Sequence, residues 1–452
     1  MTDFEKDKGM AEAIAKKVAE KNGRAYYVGG FVRDAILKKE NKDIDIEIHG
    51  ISPDELRQIL CSVGKVITVG EAFGIFGLKG YGIDIAMPRK EKATGKGHRD
   101  FDVFVDPFIG AKKAAMRRDF TVNALMQDVL TGEILDFFGG QKDLSDEILR
   151  HVNDESFSED PLRVLRAAQF AARFSFSVAD ETVALCRKIP LGSLSRERVE
   201  AELSKALMKA ERPSVFFEVL KSMGKLDEWF PELKNLIGVE QSPIYHAEGD
   251  VWNHTMMVID EAAKMRDKVS YPMGFMLSAV AHDFGKAVST QIIDGKIHAY
   301  AHEIKGLPLI DSFLRRLTNE TKLKRYVMNL CEYHMKPNAL AENGASVKST
   351  NRMFDSVCAP KDLIYLAAAD NFGRISEKNN TDNTPFLFDR LQTYESIMAK
   401  PCVLGKDLIY AGLTPDKDFS EILSYAHKLH LAGIEKESAL KQTLSYARKI
   451  KR

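Results

Sequence analysis

Residues 28–50 read VGGFVRDAILKKENKDIDIEIHG: a glycine pair, a segment of helix length, then carboxylates at Asp43, Asp45 and Glu47. Ile44, Ile46 and Ile48 alternate with those acids, which is the period of a β-strand, so the three carboxylates share one face. Like charges on one strand face repel, and the arrangement makes sense mainly with a cation among them. Two hard oxygen donors, Asp43 and Asp45, suit Mg²⁺, which usually shares its shell with substrate phosphates. Gly29 and Gly30 after a strand let backbone N–H groups approach a phosphate, and the next helix N-terminus adds its dipole. Incidental acids on a solvent-facing strand would not need these glycines, nor Arg33 and Asp34 beside them. GIDIAMP (82–88) offers Asp84 as a third carboxylate on a neighbouring strand.

Outward from this stretch, residues 8–22 are expected to form an amphipathic helix ending at Asn22-Gly23. AYYVGG (25–30) reads as a strand and FVRDAILKK (31–39) as a helix. SPDELRQILCSVG (52–64) is a helix with Ser52 as its N-cap, and GIFGLKG and YGIDIAMP alternate as strands. Beyond about residue 145 the strand signal almost disappears and helical periodicity runs to the end. The expected division is a mixed α/β domain at 1–145, a helical region at 146–241, a second helical domain at 242–400 and a helical tail at 401–452. His427 and His430 in that tail read as surface residues.

Composition excludes several classes. The 452 residues carry 65 Lys+Arg against 65 Asp+Glu, so any nucleic-acid surface must be local. Cys61, Cys186, Cys331, Cys358 and Cys402 are scattered and form no CxxC pair, which disfavours disulfides and a cysteine zinc site. The charged N-terminus and the lack of a long apolar run imply a cytoplasmic protein with no membrane partner.

AAMRRDFTVNAL (114–125) joins Arg117 and Arg118 to Asp119 and Asn123. Arginine forks suit triphosphate oxygens, and Asp119 and Asn123 could handle ribose hydroxyls. LDFFGGQKDL (135–144), EDPLRVLRAAQFAARF (159–174) and LSRERVEAEL (194–203) follow in order. With the opening stretch, this set resembles the bacterial-type (class II) CCA-adding tRNA nucleotidyltransferase and poly(A) polymerase family, over roughly residues 25–235.

The resemblance implies an α+β chain: a polymerase-β-like nucleotidyltransferase head with a mixed sheet, then an all-α neck and body. It makes Asp43 and Asp45 the catalytic, Mg²⁺-binding carboxylates. Gly29, Gly30, Arg33, Arg117, Arg118, Asp119 and Asn123 become nucleotide-binding, with Arg166 helping to hold phosphates or the helix. It assigns Glu159, Asp160 and Arg163 to reading the incoming base. Asp160 and Arg163, three apart on an expected helix, would share a face. The carboxylate can accept from the amino group of cytosine or adenine, and the arginine can donate to a ring acceptor. The basic stretch MPRKEKATGKGHRDFDV (87–103) corresponds to the loop by which the family switches to accepting ATP.

Downstream, His254, His282-Asp283 and Asp370 resemble the H…HD…D signature of HD-domain metal-dependent phosphohydrolases. Imidazoles with carboxylates suit a divalent ion that activates water against a phosphoester. His302 and His334 could widen the site to two metals, with His246 near its mouth. The expected activity is template-independent addition of CCA to tRNA 3′ ends from CTP and ATP, with metal-dependent phosphohydrolysis in the HD domain. An A-adding enzyme or poly(A) polymerase is the alternative in the same class. An HD phosphohydrolase with a non-catalytic RNA-binding head is the alternative in another.

Overall fold

The computed structural model describes residues 3–39, 41, 43–70, 75–93, 101–376 and 381–450. Two compact units emerge: the first spans residues 1–206 and 215–229, the second 207–214 and 230–452.

The first unit is organised by a sheet. Its strands are β1 (Arg24–Val28), β2 (Ile44–His49), β3 (Val66–Gly70), β4 (Ile75–Leu78) and β5 (Ile83–Ala86). A hairpin of β6 (Arg89–Ala93) and β7 (Phe101–Val105) stands apart, and β8 (Met126–Asp128) and β9 (Ile134–Leu135) complete the set. The seven-stranded sheet runs β3-β4-β5-β2-β1-β8-β9. Only β2 and β5 pair in parallel within it; the other pairings are antiparallel. The alternation in β2 is realised as expected, with Ile44, Ile46 and Ile48 buried on one face.

That apolar face is covered by helices. In Asp3–Ala19 the buried residues Ala11, Ile14, Ala15 and Val18 form one stripe at helical spacing. Helix Pro53–Val63 opens with a capping box between Ser52 and Glu55 and buries Leu56, Ile59 and Leu60. Gly23 sits where the chain turns under β2, since a Cβ there would lie 2.8 Å from the His49 carbonyl oxygen. Residues 94–100, the middle of the expected basic loop, lie outside the described residues; their flanks are the β6–β7 hairpin.

Helix Leu162–Phe174 buries Val164, Leu165, Ala167, Ala168, Ala171 and Ala172. Phe120 meets Phe157 and Phe170 edge-on, at centroid distances of 5.7 and 5.8 Å. One expectation is corrected here. Asp160 is not on the helix of Arg163: it has extended backbone (φ −121°, ψ 102°) and the helix begins after Pro161. A residue preceding proline is disfavoured in the α conformation.

The second unit is helical around Trp252, Phe275, Phe284, Phe313 and Phe354. Its principal helices are Val251–Ala263, Pro272–Ala281, Thr321–Tyr333 and Pro360–Phe372. Strands persist beyond residue 145 after all, in the two-residue pair Ile148–Leu149 with Ser177–Val178 and in the hairpin Gln291–Ile293 with Lys296–His298. That hairpin turns on Asp294 and Gly295, both at positive φ, the conformation an Asp-Gly pair favours. The tail packs its own cluster of Val403, Leu408, Ile422, Ala426, Ala439 and Ala447. His430 is buried rather than exposed, where the end of its helix packs against Val347–Asp355 and Asn351 donates to the Leu431 carbonyl at 2.8 Å. No helix of the described residues is long and apolar enough to cross a membrane.

Candidate functional site

The carboxylate strand sits beside a second one. Asp45 pairs in register with Asp84 across the parallel β2–β5 ladder, so both acids project from the same face. Asp43, just before β2, is exposed and Asp45 half-buried. Burial, then the charge of Asp84, pushes the Asp45 carboxyl up to about 6; Arg118 opposes the rise and Asp43 adds to it. A site that raises a carboxyl in this way is one where a divalent cation would be bound favourably, and the donor set is the hard oxygen set that Mg²⁺ takes. Among the described residues, Asp43, Asp45 and Asp84 do not form a three-ligand group within 4.8 Å.

Glu47, the third acid of the strand, is buried and used internally. It bonds His49 Nε2 at 2.8 Å and accepts from Arg118 at 3.2 Å. Burial would raise its carboxyl, but His49 and Arg118 together hold it below the ordinary range. A cleft of about 280 Å³ opens next to it, lined by Glu47, Arg89, Arg117, Arg118 and Arg163 with Met87 and Pro88. Three of those arginines are among the expected nucleotide-binding residues. Gly29, at φ 66°, lies beside this charge: a Cβ there would lie 3.1 Å from Arg118.

The other expected residues form a connected polar chain. Asp119 is buried and accepts from the Phe120 N–H at 2.9 Å, Asn123 at 3.0 Å and Arg166 Nε at 2.7 Å. Burial opposes its charge, yet Arg166 and Asn123 hold its carboxyl below the usual range. The Asn123 oxygen accepts from Arg33 at 2.6 Å, and Arg33 pairs with Asp34 at 2.7 Å. Asp34 accepts from Asn41 at 2.8 Å, and the Asn41 oxygen receives the backbone N–H of Asp43 at 2.9 Å. The Arg33 guanidinium also lies 4.4 Å from the Phe174 ring centroid. Thus Asp119, Asn123 and Arg33 spend their described polar contacts inside the protein, on one another and on Phe120, Arg166 and Asp34.

Arg163 donates to the carbonyls of Ser156 at 2.5 Å and Arg117 at 2.7 Å, bringing the expected base-reading arginine to the arginines expected to bind phosphate. Asp160 is held by Arg198 at 2.7 Å, a partner the sequence reading missed although it lies in the LSRERVEAEL stretch. Glu159 is exposed.

In the second unit, helices Val251–Ala263, Pro272–Ala281 and Pro360–Phe372 bring His254, His282, Asp283 and Asp370 together. His254 Nε2 is 3.0 Å from Asp370 and 3.6 Å from Asp283, and His282 Nε2 is 3.3 Å from Asp283. His302 and His334 join them, 3.1 and 3.8 Å from the other Asp283 oxygen. His246 reaches the cluster through Glu248, which takes His246 Nδ1 at 2.7 Å and lies 3.2 Å from His254 Nδ1. Sequence reading missed Glu248, which precedes the helix by three residues and carries no periodic signal.

This donor set fits a divalent ion. His282 Nε2 and both Asp283 oxygens are buried without a hydrogen bond, although ion-pair neighbours surround them. Burial would lower His254, but hydrogen bonds to the Asp370 and Glu248 carboxylates raise it to about 9. His334 goes the other way, down to about 3, through burial and its histidine neighbours. Lys286, from the FGK that trails the HD pair, lies 2.7 Å from Asp283.

A family model described as the poly A polymerase head domain matches residues 25–150. The Multifunctional CCA protein of Pseudomonas aeruginosa PAO1 is 34% identical over 423 residues, covering 88% of this chain and 98% of that one. That of Methylobacillus flagellatus is 36% identical, covering 83% and 90%. Among solved structures, the Thermotoga maritima CCA-adding enzyme complexed with tRNA matches with a TM-score of 0.65 at 20% identity, over 97% of this chain and 95% of that one. The Bacillus stearothermophilus CCA-adding enzyme in complex with CTP gives 0.64 at 20% identity, over 100% and 99%. These two structures share the expected α+β fold, a mixed-sheet head with helical regions after it. The chain belongs to the family of bacterial CCA-adding tRNA nucleotidyltransferases.

Proposed function

We propose that the protein restores CCA to tRNA 3′ ends without a nucleic-acid template, using CTP and ATP. The observation that carries this reading is the juxtaposition of Asp45 and Asp84 on one sheet face with the cleft lined by Arg117, Arg118 and Arg163. The tRNA 3′-hydroxyl attacks the α-phosphate of the bound nucleotide and pyrophosphate leaves. Asp43 and Asp45 would hold Mg²⁺, which when bound would activate the hydroxyl and stabilise the leaving group. Arg117 and Arg118 take the triphosphate charge, and Arg118, 3.2 Å from Glu47, is fixed for that task. Asp160 and Arg163 choose the base: CTP and ATP each present an amino donor beside an acceptor, whereas the edges of UTP and GTP do not match. On this reading the division stays at a head (1–145), neck and body (146–241), HD domain (242–400) and tail (401–452), acting in the cytoplasm.

The experiment uses tRNA transcripts ending at the discriminator base, at C and at CC, each with Mg²⁺ and CTP, ATP or both, read at single-nucleotide resolution. Completion to CCA from all three is the expected result. Addition of A to the CC transcript alone would make the protein an A-adder, and long A tails a poly(A) polymerase. No extension by folded protein would leave the second unit as the active one.

A second reading concerns that unit. Its buried His–Asp cluster favours metal-dependent hydrolysis of a phosphoester, with His254, His282, Asp283 and Asp370 as the ligands. Removing a phosphate or opening a cyclic phosphate at a damaged tRNA 3′ end would prepare that end for the head. Release of phosphate from 3′-phosphorylated RNA, lost in His282→Ala, tests it.

A further inference from the structure

The second unit holds a cavity of about 640 Å³, larger than the cleft in the head and of the size that small organic ligands occupy. Tyr271, Tyr326, Lys322 and Arg325 are among its walls. It lies apart from the His–Asp cluster. The helices Pro272–Ala281, Thr321–Tyr333 and Pro360–Phe372 all begin at its edge, marked by Tyr271, Thr321 and Ala359. Their other ends carry His282, His334 and Asp370, about 15–20 Å away by the α-helical rise.

Lys322 and Arg325 are both exposed and, among the described residues, neither has a carboxylate partner. Lys322 Nζ stands 5.7 Å from the Tyr271 ring centroid. None of the three N-cap residues caps its helix with a side chain, so the helix dipoles add to the field of the two cations. Two neighbouring acids are spent on the walls themselves. Buried Asp362 accepts from the Ser270 N–H at 3.0 Å, the Ser270 hydroxyl at 2.6 Å and the Tyr326 hydroxyl at 2.7 Å. Glu320 accepts from the Tyr271 hydroxyl at 2.6 Å. Both tyrosines are thereby pinned, their ring centroids 5.3 Å apart and their planes at 67°.

We propose that this cavity is a second nucleotide site, taking a free nucleoside monophosphate with its phosphate on Lys322 and Arg325 and its base against Tyr271 and Tyr326. A phosphate dianion matches two cations, one a planar fork and the other a point charge. A base gains by packing on an aromatic ring whatever its identity, and the pinned tyrosines lose little freedom in receiving it. Neither half alone uses the whole cavity: inorganic phosphate leaves the rings bare, and an uncharged nucleoside leaves the cations unpaired.

The test uses full-length protein and 8-azidoadenosine 5′-monophosphate as photoprobe, with labelled peptides mapped by mass spectrometry. Label is expected on the peptides carrying Tyr271 or Tyr326. Lys322→Gln combined with Arg325→Gln should reduce it by about tenfold to a hundredfold, and Tyr271→Leu by about tenfold, with labelling of the head unchanged. Read at the same peptides, adenosine monophosphate should compete at lower concentration than adenosine or inorganic phosphate. A 5′-phosphorylated oligonucleotide that competes better than the mononucleotide would make the cavity an RNA contact and overturn the assignment to a free nucleotide. Absence of label on both peptides, label that survives the double variant, or equal competition by adenosine or phosphate would overturn the site.

Discussion

Asp45 and Asp84 are direct partners across a parallel strand pair, two acids that the fold forces side by side. Asp45 stands at about 6 because burial and Asp84 both work against its charge. A carboxyl raised above its unfolded value of about 3.9 costs stability as pH rises through 4 to 6, and that cost persists above. With chelator present, Asp45→Asn is therefore expected to melt at higher temperature than the parent at pH 7.5, and the gap should shrink toward pH 4. The same variant should lose nucleotide addition by on the order of 10³-fold. Equal melting of parent and variant across that range would remove the electrostatic account.

Asp119 is a buried anion paired with Arg166 at 2.6 Å. Removing that partner by Arg166→Met should cost about 3–5 kcal/mol, because the charge left behind is uncompensated. The double variant Arg166→Met, Asp119→Asn should recover much of the loss. Since the folded carboxyl lies below its ordinary value, the pair's contribution is complete above about pH 4 and fades as pH falls below it. Thermal melts of the parent, Arg166→Met, Asp119→Asn and the double variant between pH 3 and pH 7 would show the pattern.

Arg163 is tied to the Arg117 backbone and Asp160 to Arg198. Arg163→Ala should lower discrimination of CTP over UTP by about tenfold to a hundredfold, the worth of one base-edge contact. Arg198→Ala, which frees Asp160, should loosen the same discrimination, and Arg198→Lys should restore part of it. The ratio of kcat/KM for the two nucleotides on a tRNA ending at the discriminator base is the readout. A fall in kcat with unchanged selectivity would show that Arg163 and Asp160 do not read the base.

Gly285 packs so closely against the His302 backbone that a Cβ would lie 1.9 Å from the His302 carbonyl oxygen. Gly285→Ala must push the His302 segment away from Asp283. The expected consequence is weaker metal binding in the second unit by about 10- to 100-fold, as for lost supporting contacts elsewhere, with the head's nucleotide addition retained. Metal titration by calorimetry on the Asp43→Ala, Asp45→Ala background measures the first, and the tRNA extension assay on Gly285→Ala alone measures the second.

What could be read from the residues was whatever is written in local periodicity or in a compact motif. The alternation of Ile44, Ile46 and Ile48 fixed the face of Asp45 and Glu47, and the helical stripe from Ala11 to Val18 fixed the cover over the sheet. Asp160 was misplaced because a carboxylate three residues before an arginine looks helical until Pro161 is weighed. The hairpin at Asp294-Gly295 carried its own turn signal and was overlooked amid helices. Glu248 and Arg198 were invisible for a different reason. Each acts on a residue through tertiary approach, and neither has a spacing that announces its partner. The burial of His430 likewise depends on which way the end of a helix turns.

The unbroken run of polar contacts from Arg166 through Asp119, Asn123, Arg33, Asp34 and Asn41 to the backbone of Asp43 joins the helix Leu162–Phe174 to the acid strand. Its members from Arg33 to Asp119 are buried and mutually satisfied, and such networks stiffen what they connect. On the proposed function, selector and reactor would therefore keep a constant separation, like the jaws of a vice cast in one piece. If three nucleotides are added in turn at a single such station, the workpiece has to advance: after each addition the RNA end must withdraw by one nucleotide and re-seat.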